Sequence, residues 1–303
     1  MTQPDLFDRS LLKQRRQRAL ATAKPGSDFL LETVADDLAD RLTALSRTFE
    51  IGVDLGGHTG RITEIMAQCG KVGQVLRADL MCADPNIPAP DLVFDDALPP
   101  FREASVGLFV SALSLHWVND LPGTLVQIRK ALQPDGLFLG VLLGGDTLFE
   151  LRDVLMRAEL EVTGGAAPRV SPFADIRDLG ALLQRAGFSL PVTDTDRLTV
   201  RYASMFNLMQ DLKAMGATSI LTERSKKPLP RSILMRAAEL YAQDYSDPDG
   251  RIRATFALVS LSGWSPHESQ QKPLRPGSAK TRLADALGAQ EVSFSSSTEK
   301  PKG

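Results

Sequence analysis

The sequence predicts an α/β fold, a doubly wound, seven-stranded and mainly parallel sheet with helical cap insertions. Three observations carry that expectation. Over residues 50–143, strand-like apolar runs alternate with helical patterns, as in βαβ units joined by right-handed crossovers. Within them, Val53-Asp54-Leu55-Gly56-Gly57-His58-Thr59-Gly60 reads as strand end, acid, glycine-rich turn and helix start. Such a turn lies at the carboxyl edge of a parallel sheet, where open α/β proteins bind ligands. Val106 to Leu113 is an unbroken apolar run, as expected for a strand buried on both faces.

The elements follow in order. Residues 1–26 form a basic segment with Arg9, Lys13, Arg15, Arg16 and Arg18 close together. In a nearly neutral chain this reads as a solvated helix, with Leu11, Leu12, Ala19 and Leu20 able to supply an apolar stripe. Ser27 is a candidate N-cap for the next helix, whose Leu30, Leu31, Val34, Leu38, Leu42 and Leu45 recur at helical spacing. A first strand is expected over 51–55, a helix from Arg61, a second strand over 72–79, and a short third strand at 92–94. The fourth strand is the 106–113 run. Asp120 and Pro122 then open a helix, and Pro134-Asp135-Gly136 turns into a fifth strand over 137–143. The second half carries helices from Leu148 and over 175–186, a sixth strand over 198–202, and a Met-rich helical stripe from Met205 to Met215. Residues 217–230 read as polar loop. A helix follows over 233–241, then alternating Ile252, Ala254, Phe256 and Leu258 as a seventh strand. The expected domain runs 27–265, with its core at 50–143 and a cap and C-terminal strands at 144–265. The Ser-, Pro- and Lys-rich tail, 266–303, is expected to be largely disordered.

Composition narrows the function classes. The 303 residues are 43% apolar and 24% charged, with a net charge of −2. That balance gives no reason to expect nucleic acid or an anionic membrane as partner. No apolar run reaches the roughly 20 residues of a spanning helix, and the N-terminus lacks a signal-peptide layout. Cys69 and Cys82 are the only cysteines, and they read as reduced thiols of a cytoplasmic protein. The three histidines, His58, His116 and His267, are scattered, so no metal site is expected.

Four features fall at successive strand ends and so share one rim of the sheet: the Gly56-Gly57-His58-Thr59-Gly60 turn, Asp79, Asp96, and Ser114 to Trp117. Their chemistry suits an adenosine-bearing ligand. Asp79 can accept from both ribose hydroxyls, and Asp96 from the adenine amino group, with Leu80 or Leu98 against the ring. Backbone N–H groups of Gly56 to Gly60 can hold the polar end. Each feature taken singly has a plainer role: a turn cap for Asp79, a loop acid for Asp96, core packing for Leu80 and Leu98.

These stretches resemble the motifs of class I S-adenosylmethionine-dependent methyltransferases, a Rossmann-like family. Asp54 to Gly60 is similar to the family's first motif, Asp79 to its ribose acid, Asp96-Ala97 to its adenine-side motif, and Leu132 to Gly136 to its turn before the fifth strand. The resemblance implies S-adenosylmethionine as cofactor, with Asp54, Gly56, Gly57, His58, Gly60, Asp79, Leu80, Asp96 and Ala97 in its site. The sequence departs from the pattern at His58, where a glycine is usual, and at Gly107, where an acid is usual. Further segments extend over most of residues 5–275. They are Leu113 to Pro122, Gly144 to Leu148, Ser171-Pro172-Phe173, Arg185 to Phe188 and His267 to Gln270, and they resemble the methyltransferase-fold assembly factors of respiratory complex I. That subfamily implies hydroxylation of an arginine on a complex I core subunit, which would be the partner. The carrier-protein methyltransferases of biotin synthesis share the first half's pattern.

For chemistry at the site, His116 is a candidate base or polar contact, Ser114 a second polar group and Trp117 a wall. Packed rim residues are the alternative for the pair His116-Trp117. The spacing contains no two-His-one-carboxylate pattern and no flavin fingerprint, so hydroxylation is implied by the resemblance alone. Two alternatives stand beside it: methyl transfer to a small molecule or carrier-protein acid, and a non-catalytic assembly chaperone.

Overall fold

The computed structural model describes residues 5–22, 26–82, 87–271 and 288. Two compact units divide the chain, one through His267 and one from Glu268. Most of the expected disordered tail therefore lies outside the described residues.

The first unit opens with helices α1 (Arg9–Ala21) and α2 (Phe29–Ala44). The alternating core follows: β1 (Phe49–Leu55), α3 (Arg61–Gln68), β2 (Val72–Asp79), β3 (Leu92–Val93), β4 (Val106–Ala112), a 3₁₀ turn at Leu115–Trp117, α4 (Leu121–Ala131) and β5 (Leu132–Leu143). The second half holds α5 (Phe149–Thr163), α6 (Ile176–Arg185), β6 (Ser189–Tyr202), α7 (Met205–Ala214), α8 (Arg231–Asp244) and β7 (Ile252–Trp264). One seven-stranded sheet results, in the order β3-β2-β1-β4-β5-β7-β6. Pairs from β3 to β5 are parallel, and β7 runs antiparallel to both neighbours. The order reverses between β1 and β4, which opens a crevice beyond their carboxyl ends.

Helices cover both faces, so the core is split by the sheet. One cluster joins Val34, Leu38, Leu42, Met66, Leu108, Val154, Leu208, Ala237 and Phe256. The other joins Leu55, Phe109, Leu125, Ile128, Phe138, Leu179 and Leu183. Burial on both faces explains why β4 and β5 read as unbroken apolar runs. It also explains β7, which is buried from Ala254 to Leu261 although its first residues alternate in sequence.

Local chemistry sets the helix starts. Asp8, Asp120, Asp175 and Ser204 each accept a backbone N–H with the side chain, as N-caps of α1, α4, α6 and α7. The cap of α2 is Asp28 and not the expected Ser27, and its side chain makes no cap hydrogen bond.

Four expectations are corrected. Strand β6 begins at Ser189 instead of 198. It is an edge strand with mostly exposed residues, and the polar run Thr193-Asp194-Thr195-Asp196 that guards such an edge hides it from a hydrophobicity reading. Strand β5 begins at Leu132, and Pro134-Asp135-Gly136 lies within it as an irregularity. The register passes from Val106↔Leu132 to Leu108↔Leu137, and Asp135 takes φ +61°. In the 217–230 stretch, Ile220 and Leu221 are buried, and Leu221 bridges to Phe7. Finally, α1 is solvated on one face only: the expected stripe is buried at Leu12, Ala19 and Leu20, and what the expectation lacked is the buried Arg16 beside it. Leu12 joins Phe7, Trp117, Ile220 and Leu221 in a small third cluster. Burying a leucine of this kind is worth roughly 2 kcal/mol, which favours docking of this basic helix. Among the described residues no helix is long and apolar enough to cross a membrane.

Candidate functional site

The turn after β1 is held by contacts that leave little slack. Gly56 and Gly60 sit at φ +77° and +87°, the left-handed region open to glycine. A Cβ on Gly56 would stand 2.3 Å from Ser114 Oγ, and one on Gly57 would stand 2.6 Å from Asp54 Oδ2. His58 takes φ +35°, a conformation that costs a side-chain-bearing residue about 1–3 kcal/mol. Its backbone is fixed from both ends. The His58 N–H donates to Asp79 Oδ2 at 2.6 Å, and its carbonyl accepts from Arg77 Nη2 at 2.5 Å. The other Asp79 oxygen accepts the Met81 N–H at 2.7 Å. Asp79 closes β2, is 2% exposed, and has both oxygens committed to backbone.

Asp54 closes the other side of the turn. It is fully buried, accepts from Thr63 Oγ1 at 2.7 Å, and leaves Oδ1 without a partner among the described residues. Burial pushes its carboxyl up to about 7, against the Thr63 hydroxyl and the Arg77 charge.

Asp96, on the loop after β3, is equally buried. Ser114 Oγ donates to its Oδ2 at 2.6 Å, and Arg9 of α1 pairs with its other oxygen. Arg9 also donates to Asp95 at 2.8 Å and to the Trp117 carbonyl at 3.2 Å. The basic helix therefore reaches across the crevice and binds the acids of its far wall.

Beneath α1 lies a cavity of about 400 Å³, bounded by Arg16, Ala19 and Leu20 of α1, by Asp28 and Leu31, by His58 and Thr59, by Leu113, His116 and Trp117, and by the Met215–Ala217 turn. That volume is typical of small-molecule sites. Leu113, at φ +51°, turns its carbonyl to accept from Arg16 Nη2 at 3.0 Å. The His116 ring stands 4.8 Å from Trp117 and 5.6 Å from Phe173, centroid to centroid, and its Nδ1 accepts the Leu143 N–H at 3.5 Å. Burial, helped by Arg16, pulls both His58 and His116 down to about 3, so both are neutral near pH 7. Nδ1 of His58 has no partner among the described residues. A second, more apolar cavity of about 250 Å³ shares Trp117 and Ala217 with the first and runs on toward Leu151, Phe173, Met209 and Leu212.

The expected residues thus divide into three groups. His58, His116 and Trp117 line the main cavity. Asp54, Gly56, Gly57, Gly60, Asp79, Asp96 and Ser114 build the wall behind it. Ser114 is 1% exposed and braces Asp96 under Gly56. The remaining three lie at the margins. Ala97 donates its N–H to Asp95 at 3.0 Å, and Leu80 packs against the Phe7–Trp117 cluster. Leu98, weighed as a ring contact, is 74% exposed. Among the described residues no group of three or more His, Cys, Asp or Glu is placed to hold a metal ion. The sequence reading missed Arg9 and Arg16. Their spacing of seven sets them on one helix face with Leu12, Ala19 and Leu20, a signal that their apolar company carries and their charge obscures.

Comparison with known proteins bears on this arrangement. Residues 29–191 match the sequence profile of a methyltransferase domain. The chain is 40% identical to the human arginine-hydroxylase NDUFAF5, mitochondrial, over 93% of this chain and 83% of that one. It is 39% identical to the zebrafish (Danio rerio) protein of the same name, over 93% and 89%. A malonyl-[acyl-carrier protein] O-methyltransferase of Laribacter hongkongensis is 30% identical, over 91% and 96%. Among solved structures, the YcgJ protein of Bacillus subtilis superposes with a TM-score of 0.51 at 12% identity, covering 78% of this chain and 99% of its own. Agreement in fold, in domain profile and along nearly the whole sequence makes the protein an enzyme of the class I methyltransferase family and a relative of NDUFAF5.

Proposed function

We propose that the protein binds S-adenosylmethionine in this crevice and hydroxylates an arginine on a core subunit of respiratory complex I during its assembly, on the cytoplasmic side. The ligand reading is carried by one observation. The buried Asp79 carboxylate ends β2 and ties down the glycine turn through the His58 N–H, beside a 400 Å³ cavity into which that turn's His58 and Thr59 face. The residues present fit the group. Asp79 would accept from the ribose hydroxyls and Asp96 from the adenine amino group, with Leu80 and Ala97 flanking the ring. Gly56, Gly57 and Gly60 would let the ligand approach the main chain, Asp54 would anchor the turn through Thr63, and His58 would face the methionine end. When bound, the cofactor supplies an electrophilic methyl on a sulfonium. Trp117 supplies an apolar wall that excludes water, and neutral His116, whose Nδ1 accepts the Leu143 N–H, keeps its proton on Nε2 and offers the cavity a polar donor. Access to the adenosine end requires Arg9 to release Asp95 and Asp96.

The reaction class follows from the relatives named arginine-hydroxylase. Converting one C–H bond of the arginine into C–OH is a two-electron oxidation. Dioxygen and a two-electron donor balance it, with the second oxygen atom leaving as water. Mass spectrometry of the complex I subunits tests this reading. An arginine that gains one oxygen atom in the wild-type host and loses it when the gene is deleted supports it; unchanged oxidation of that arginine contradicts it. Carboxyl methylation is the second reading, favoured by the likeness to the malonyl-carrier methyltransferase over most of both proteins. Methyl transfer from labelled cofactor to a carrier-bound acid would select it.

A further inference from the structure

Helix α1 carries two arginines seven residues apart, about 10.5 Å along one face. They are treated differently by the fold. Arg9 has its counter-charges in Asp95 and Asp96. Arg16 is 7% exposed and donates to the Leu113 carbonyl, yet among the described residues no carboxylate lies within ion-pair distance of it. A buried guanidinium without an anion carries an uncompensated desolvation cost, and the group opens onto the cavity. Burial holds its affinity for a proton below the usual arginine range, with only the more distant Asp79 opposing. The cavity lining also holds one acid, which is half-buried. Asp28 is the N-cap of α2, but its side chain does not cap the helix, and it forms no ion pair with Arg16. His58 lines the same cavity, and its buried Nδ1 has no partner among the described residues. Among the described residues lining this mostly apolar cavity, one cation and one acid thus lack a counter-charge, and together they match a ligand group that carries both signs.

The geometry points to this cavity as a reader of an α-amino-acid zwitterion, with Arg16 pairing the carboxylate and Asp28 the ammonium of the ligand's amino-acid end. The inference rests on the S-adenosylmethionine reading and assigns the two residues that fix the end of the cofactor opposite its adenosine. It also gives α1 a function, since the helix closes on the cavity and brings one of the two charges with it.

Calorimetric titration of the full-length protein tests the assignment with three ligands: S-adenosylhomocysteine, its decarboxylated analogue and its deaminated analogue. Wild type is expected to bind the parent about 10- to 100-fold more tightly than either analogue, as for charge-assisted hydrogen bonds. Arg16→Met should lose the preference over the decarboxylated ligand and keep the preference over the deaminated one. Asp28→Asn should do the reverse. Equal weakening of all three ligands by Arg16→Met, or retention of every preference, overturns the assignment while leaving cofactor binding intact. Wild type that binds none of the three overturns the cofactor reading and this inference with it. Thermal melts establish folding of each variant. If Arg16→Met does not fold, Arg16→Gln, which keeps a donor for the Leu113 carbonyl, is read in the same way.

Discussion

The two ends of the crevice are built on opposite principles. At the proposed adenosine end the acids already have partners: Asp79 holds two backbone N–H groups, and Asp96 holds Ser114 and Arg9. At the other end Arg16, Asp28 and His58 line a cavity, the first two without a counter-charge among the described residues and His58 with its Nδ1 unpartnered among them. The first end is preorganised and shut, and the second is open and waiting for charge. A ligand entering the first must exchange protein contacts for its own, so its net gain there is small. At the second it satisfies groups that are otherwise unsatisfied, so its gain is larger. In the proposed complex the amino-acid end would supply affinity, and the adenosine end would supply selection through the displacement of Arg9.

The sharpest way to break the comparison is Arg9→Met. It strips the buried Asp96 of its cation and should cost about 3–5 kcal/mol of stability, measured by urea unfolding. Loss of the buried Arg16 charge should cost far less, because no protein anion is left behind. If the two variants unfold at the same urea concentration, the two ends are not different in kind.

Gly56→Ala should cost about 2–4 kcal/mol, combining a positive φ with a methyl 2.3 Å from Ser114 Oγ. In Ser114→Gly, which removes the facing atoms, the added cost of Gly56→Ala should fall to the strain alone, about 1–2 kcal/mol. A full cost in both backgrounds would mean that the turn does not pack on Ser114.

The remaining effects are in pH dependence, and their signs differ. The Asp54 carboxyl is raised from 3.8 to about 7 in the fold. The native protein thus keeps a proton that the unfolded state loses, and stability from this group falls as pH rises through that window. Asp54→Asn should flatten the slope. His116 goes the other way. Its value drops from 6.5 to about 3, so the contribution is present above 6.5 and is lost as pH falls toward 3. His116→Gln should remove part of the acid-side loss. Urea unfolding across a pH series reads both, and slopes unchanged by the two substitutions would show that neither group is buried as described.

Most of the sheet was legible because strands buried on both faces leave continuous apolar runs, as at Val106–Ala112, and because the reversal of strand order gathers Gly56, Asp79, Asp96 and His116 at one rim. Strand β6 was only partly legible, since an exposed edge is written in polar residues. The wall of the site could be read from motif chemistry. Its roof could not. Arg9 and Arg16 look like part of a surface charge run, and only their register with Leu12 and Ala19 reveals that the helix lies face down. Ile220-Leu221 was hidden for a related reason, a two-residue apolar anchor inside a polar loop that makes sense only against Phe7 and Leu12.

The central claim is that the crevice takes S-adenosylmethionine with its ribose on Asp79. Calorimetric titration of wild type and Asp79→Ala with S-adenosylhomocysteine measures it directly, with thermal melts run on the same samples. Saturable one-to-one binding by wild type is expected, with a loss of about 100-fold or more in a folded Asp79→Ala protein, because the carboxylate that goes would hold the ribose and also holds, through the His58 N–H, the turn that faces the ligand. No binding by wild type, or equal binding by the folded variant, would contradict it.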